Sequence, residues 1–192
     1  MENLEKIIKG CLAGKRISQE ALYKEFSSKM YAVCLRYSGS EDEAADNLHD
    51  GFIKIFQNIK QYRFKGSFEG WMRRVMVNVC LEKFRKPENK FTVSSSEWTE
   101  TDAVFNNVAD FVSANELMEM IQKLPPRYKL VFNLYAIEGY THQEIAVQLD
   151  ITEGTSKSNL SRARTILQEK LNEIYFSDKE GHLPVWKKKK SI

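Results

Sequence analysis

Between Thr155 and Arg164 short hydrogen-bonding side chains are interleaved with cations: Thr155, Ser156, Lys157, Ser158, Asn159, Arg162 and Arg164. Hydroxyl and amide groups can reach base edges, and Lys and Arg hold phosphates, so on one helix these residues would both read and grip a duplex. A second set carries a different chemistry. Tyr62, Arg63, Phe64, Lys65 and Ser67 are followed by Arg74, Asn78 and Arg85, within a stretch where cations far outnumber Glu69, Glu82 and Glu88. Aromatic rings among cations can hold unstacked bases along a charged backbone track. Groups suited to bond-making are missing by contrast. His49, His142 and His182 sit in unrelated segments, no phosphate-cradling glycine loop occurs, and paired carboxylates fall only in helix-capping or linker settings. The expectation is a binding protein, not an enzyme, with no metal and no cofactor.

The elements that would position the first set read as a helix-turn-helix. Thr141 and Glu144 form a capping box ahead of Ile145, Ala146 and Leu149. Asp150 suits the left-handed residue of a tight turn, Ile151 can plug the gap between helices, and Thr152 caps the second helix. Leu160, Ala163, Leu167 and Leu171 then recur at helical spacing and should face inward, leaving the seven polar and basic residues largely outside. A plain helical hairpin with a solvated basic face would share this pattern, but DNA reading is the favoured interpretation.

Upstream, Leu22, Tyr23, Phe26, Met30, Val33, Cys34 and Tyr37 predict an amphipathic helix near 17–36, stopped by Gly39. Ser40 and Glu43 suggest another capping box, and Leu48, Phe52, Ile55, Phe56 and Ile59 mark the next helix. Glu41, Asp42, Glu43, Asp46 and Asp50 crowd its start, more carboxylates than a helix dipole requires. A helix over 67–86 would bury Phe68, Met72, Val75 and Val79, with Trp71 beside them. Tyr62 and Phe64, in the preceding loop by Gly66, are the better stacking candidates, and Arg74, Asn78 and Arg85 line the opposite helix face. Residues 91–122 contain no Lys or Arg and several carboxylates, which suggests an acidic, flexible connection. Ser113 and Glu116 open a helix through Leu117, Met120, Ile121 and Leu124, ended by Pro125 and Pro126; a helix over 128–138 and Gly139 lead into the helix-turn-helix. The terminal WKKKKSI reads as a solvated tail.

The fold class expected is all-α: two small helical domains joined by the acidic linker. A net charge of +3 confines any nucleic-acid surface to local clusters of charge. Cys11, Cys34 and Cys80 are far apart and odd in number, which argues for reduced core residues. No signal peptide or membrane span is visible, so a cytoplasmic location is expected.

Read together, EAADNLHDGFIKIFQNI, FKGSFEGWMRRVMVNVCLEKFRK and LPPRYKLVFNLYAIEGYTHQEIAVQLDITEGTSKSNLSRAR resemble, in order, three conserved stretches of the extracytoplasmic-function sigma factors, promoter-specificity subunits of bacterial RNA polymerase. The resemblance implies a region 2 domain at 1–90, a linker at 91–112, a region 4 domain at 113–174 and a tail at 175–192. It implies docking on the polymerase core through Asp46, Asn47, His49, Asp50 and Lys54, although the family commonly has Gln where this chain has His49. It implies opening of the minus-ten promoter element, with capture of a flipped base, by the loop 62–67 and the face around Arg74 and Asn78. The minus-thirty-five element would be read by Thr155, Ser156, Lys157, Ser158, Asn159 and Arg162; many relatives carry Val and Arg where Ser156 and Asn159 stand. Promoter DNA, core polymerase and an anti-sigma protein are the partners it implies. A stand-alone helix-turn-helix regulator would leave the acidic helix and the basic aromatic segment without a role. A recombinase or nuclease would need a metal-binding carboxylate set.

Overall fold

A computed structural model describes residues 2–84 and 113–176 as two helical regions. The expected linker at 91–112, Arg85 and nearly all of the tail lie outside the described residues. In the first region α1 (Glu2–Leu12), a helix the sequence reading did not single out, turns at Gly14 with φ +71° and folds onto α2 (Arg16–Tyr37). α3 (Glu41–Asn58), prolonged by a 3₁₀ turn over Ile59–Gln61, and α4 (Phe68–Phe84) complete a bundle in which α2, α3 and α4 pack on one another.

α4 is buried more widely than its expected stripe: Phe68, Met72 and Val79 are inside, but so are Met76, Val77, Cys80 and Leu81. The reason is its central position, with α2 and α3 both against it. Gly51 permits the close approach of α3, because a Cβ there would lie 2.1 Å from Met76 Sδ. At the start of α3 the Glu43 N–H donates to Ser40 Oγ at 3.2 Å, as expected of a cap. The Glu43 carboxylate, however, accepts from Gly39 N–H at 2.7 Å, so the reciprocal bond of the expected box is displaced by one residue.

The second region contains α5 (Ala114–Gln122), α6 (Pro126–Phe132), α7 (His142–Leu149) and α8 (Glu153–Phe176). Both bonds of the Ser113–Glu116 capping box are present. Pro126 opens α6 where its missing N–H costs nothing. The helix expected over 128–138 changes character midway, passing from α6 into a single π turn over Asn133–Ile137, and Gly139 at φ +76° releases the chain toward α7. Leu130, Val131, Leu134, Ile145, Leu160, Ala163, Leu167 and Leu171 form the core of this region.

The two regions lie against each other, which the expectation of a flexible connection did not foresee. The final carbonyls of a helix lack intrahelical partners, and here the second region supplies donors at the end of α2. Gln122 Nε2 donates to Leu35 O, Asn133 Nδ2 to Arg36 O at 2.9 Å, and Lys129 Nζ to Ser38 O at 3.0 Å. Lys129 is buried, and that burial pushes its ammonium below the ordinary lysine range, with Glu43 opposing the shift.

Candidate nucleic-acid and protein interfaces

The helix-turn-helix is built by three local devices. Thr141 Oγ1 accepts from the Glu144 N–H at 3.2 Å while the Glu144 carboxylate accepts from the Thr141 N–H at 2.8 Å. The Thr141 N–H and the Thr141 hydroxyl, which donates to the same carboxylate at 2.9 Å, hold the Glu144 carboxyl below its ordinary value, with Arg74 adding to them. Asp150 ends α7 in the left-handed region at φ 55° and ψ 50°, and the half-buried Ile151 packs against the core. Thr152 Oγ1 then accepts the Thr155 N–H at 3.0 Å, starting α8.

The seven residues expected on the outer side of α8 do not share one environment. Lys157 is exposed and pairs with Glu153 at 3.0 Å. Thr155 and Ser158 are half-buried, and Ser158 Oγ donates to Thr155 O at 3.0 Å. Ser156 and Asn159 are buried, a correction to the expected exposure. The inward stripe begins at Ser156 and continues through Leu160, Ala163, Leu167 and Leu171 at steps of four and three. Arg162 and Arg164 are half-buried as well: Arg162 Nη1 donates to Tyr128 OH at 3.3 Å, and the Arg164 guanidinium lies over the Tyr135 ring, 5.9 Å from its centroid. Ser161, half-buried one turn beyond Lys157 and Ser158, extends the outer side and was missed. Its signal was the same helical step that placed them.

Ser156 has a specific partner. Its Oγ lies 2.9 Å from His142 Nδ1, and the His142 ring stacks on Tyr135 with centroids 4.6 Å apart and planes 21° apart. Burial and the charges of Lys157 and Arg164 push the His142 pKa below the usual histidine value, against a smaller opposing pull from Glu153.

In the first region, Tyr62 is half-buried and its ring contacts Phe64, Phe68 and Trp71, while its hydroxyl donates to Gly66 O at 2.9 Å. It supports the loop more than it projects from it. Phe64 does project: it is 49% exposed and its backbone stands at φ 56°, an uncommon conformation for a bulky L-residue. Such strain, held by surrounding structure, is often found at functional positions. Arg63, Lys65 and Ser67 are exposed around it, and Arg74 and Asn78 are exposed one turn apart on α4. Arg74 also acts electrostatically on Tyr140 and Glu144 of the second region.

On α3, Asp46, His49 and Asp50 are exposed together. Asn47 is not among them: it is buried and donates through Nδ2 to Ser38 Oγ at 2.9 Å, tying α3 to the end of α2. Lys54 is half-buried and turns to Glu82 of α4. Ile53, 46% exposed on the same side as Asp46, His49 and Asp50, had not been anticipated. Its position off the Leu48–Phe52–Ile55–Ile59 stripe was the available signal.

Cys11, Cys34 and Cys80 are buried and unbridged. Among the described residues no cluster of His, Cys, Asp and Glu could hold a metal ion, and no helix is long and apolar enough to cross a membrane.

Residues 22–90 match the family model for sigma-70 region 2, and residues 114–167 that for sigma-70 region 4. The chain is similar to the ECF RNA polymerase sigma factor SigW of Bacillus subtilis, with 26% identity over 89% of this chain and 98% of that protein. It is similar also to the ECF sigma factor SigE of Mycolicibacterium smegmatis, with 26% identity over 80% of this chain, spanning 62% of the length of that protein. A solved structure, the sigma factor RpoE of Bartonella quintana with its anti-sigma factor NepR, aligns over 81% of this chain and 97% of that one at 18% identity, with a TM-score of 0.49.

Proposed function

The chain belongs to the extracytoplasmic-function sigma factors, and from that membership we propose that it brings bacterial core RNA polymerase to promoters carrying minus-thirty-five and minus-ten elements. The observation that carries the proposal is the paired placement of two different surfaces. α8 begins at a left-handed Asp150 turn behind a capped α7, as a major-groove reading helix requires, within the region 4 match. The strained, exposed Phe64 and the Arg74–Asn78 face lie within the region 2 match.

Each surface has a distinct task in this reading. Lys157 grips phosphate, and Thr155, Ser158 and Ser161 lie where base edges would pass. Phe64 stacks on a base of the opened strand, with Arg63, Lys65, Arg74 and Asn78 along its backbone. Extruding a base costs a few kcal/mol of lost stacking, which a ring and cations at the loop would offset. The α3 face of Asp46, His49, Asp50 and Ile53 docks on a basic, partly apolar surface of the polymerase core. Residues 1–90 and 113–174 act as the two working domains, 91–112 joins them, and 175–192 forms a basic tail. The protein itself performs no catalysis and works in the cytoplasm, where transcription occurs. An anti-sigma protein is a further partner in keeping with the family.

The docking assignment is tested by titrating labelled wild-type protein and Asp50→Arg with purified core polymerase. Asp50→Arg should weaken association at least tenfold with unchanged melting temperature. Equal affinity would remove α3 from the interface.

A further inference from the structure

We propose that His142 is a positioning residue for promoter reading: it fixes the first turn of α8 through Ser156 and thereby sets the approach of Thr155, Lys157 and Ser158 to base edges. The inference rests on the sigma-factor reading of α8 given above. Three elements meet at this ring. Its own backbone is the first residue of α7, its face stacks on Tyr135 of the π turn, and its Nδ1 meets the buried Ser156 Oγ at 2.9 Å. Tyr135 is in turn covered by Arg164, one of the cations of α8. A π turn is rare and is found often at functional sites; here it contributes the ring on which His142 rests.

Within α8 the first turn is shaped by its own cap. Thr152 Oγ1 takes the Thr155 N–H and lies 2.8 Å from Thr155 Oγ1, and both bonds are internal to the helix start. They fix the shape of the turn but not its placement against α7. The His142–Ser156 contact joins α7 to α8 at the residue between Thr155 and Lys157. A small rotation of α8 about its axis would move those two side chains together across a base pair, so loss of the contact should blur reading without removing phosphate contact. A neutral imidazole and a hydroxyl can each donate or accept, so either tautomer sustains the bond. An imidazolium can only donate, and it would face Lys157 and Arg164 with Glu153 as the opposing charge, while Tyr135 offers an uncharged ring.

The test uses full-length protein in reconstituted holoenzyme, on a promoter from which the wild type initiates and on the same promoter with its minus-thirty-five element scrambled. The ratio of transcripts from the two is the readout. His142→Ala should lower the ratio about fivefold, the scale of one lost net hydrogen bond, while transcription from the scrambled template stays level. His142→Asn, whose amide can place a polar atom near the Nδ1 position, should recover most of the ratio. An unchanged ratio in His142→Ala, or a His142→Asn ratio as low as that of His142→Ala, overturns the proposal with the sigma-factor reading intact. A wild type that initiates from no promoter overturns both.

Discussion

Glu138, in the turn that leads to the helix-turn-helix, lies 3.1 Å from the guanidinium of Arg36 at the end of α2, and both side chains are largely buried where the two helical regions meet. Arg73 of α4 stands 3.9 Å from the other carboxylate oxygen. A pair removed from water in this way is costly to break from one side, since the surviving charge keeps its desolvation penalty without its partner. The contact therefore reports whether α2 and the second region are joined in solution as described.

Glu138→Gln keeps the shape of the side chain and removes its charge. It should destabilise the protein by about 3 kcal/mol in urea unfolding, the scale for uncoupling a buried pair. A loss within about 0.5 kcal/mol, the size of an ordinary surface substitution, would mean that the regions do not stay packed in solution.

Gly51 and Met76 should be energetically coupled. Alanine at 51 would press on Met76 Sδ, and overpacking of this kind typically costs about 1–3 kcal/mol. In a Met76→Ala background the same change should become neutral or stabilising, because the added methyl then fills space and improves helix propensity. A double-mutant cycle by thermal unfolding measures the coupling, and additive effects would contradict the close approach of α3 and α4.

Asp150 should tolerate glycine better than a β-branched residue. Its φ of 55° is left-handed, and forcing an ordinary L-residue there costs roughly 1–2 kcal/mol. Asp150→Val should therefore lower the melting temperature well below that of Asp150→Gly. Equal melting temperatures would place the turn in another conformation.

Stability should fall on acidification through His142. Its folded-state pKa is lowered, so the unfolded chain takes up a proton first as pH drops below the ordinary histidine value. The protein then loses stability from near pH 6.5 downward, through the lower folded pKa, and gains nothing from this residue at higher pH. His142→Asn should show a shallower fall over the same window in urea midpoints, and parallel curves would assign the loss to other groups.

Phe64→Ala should reduce promoter opening while leaving duplex recognition alone. Base stacking on an aromatic ring is worth about 1–3 kcal/mol, so opening measured by permanganate reactivity should drop about fivefold or more. Unchanged reactivity would assign base capture elsewhere.

The parts of this molecule that were legible in its sequence are those decided locally. Thr141 with Glu144, Ser113 with Glu116, and Asp150 each act within a few residues, and each stands where the pattern put it. Small polar residues misled for a physical reason. Ser156 and Asn47 look like surface groups by type, but Ser156 meets His142 of α7 and Asn47 meets Ser38 just past the end of α2, and partners on another element have no signature in local spacing. The packing of the two regions was invisible on the same grounds, because Lys129 and Asn133 find carbonyls more than ninety residues away. Among candidate interface residues, exposure follows from polar type for Phe64's neighbours Arg63 and Lys65 and for Arg74, Asn78 and Asp50, whereas Ile53 is apolar and its exposure is marked only by its position off the buried stripe of α3.

The central claim is tested most directly by transcription with purified core RNA polymerase on fragmented DNA of the source bacterium, with and without this protein, and with transcript starts mapped. The account predicts starts that appear only with the protein and share two upstream elements at fixed spacing. Duplex binding with no association with polymerase and no new starts would contradict it and leave a stand-alone helix-turn-helix regulator.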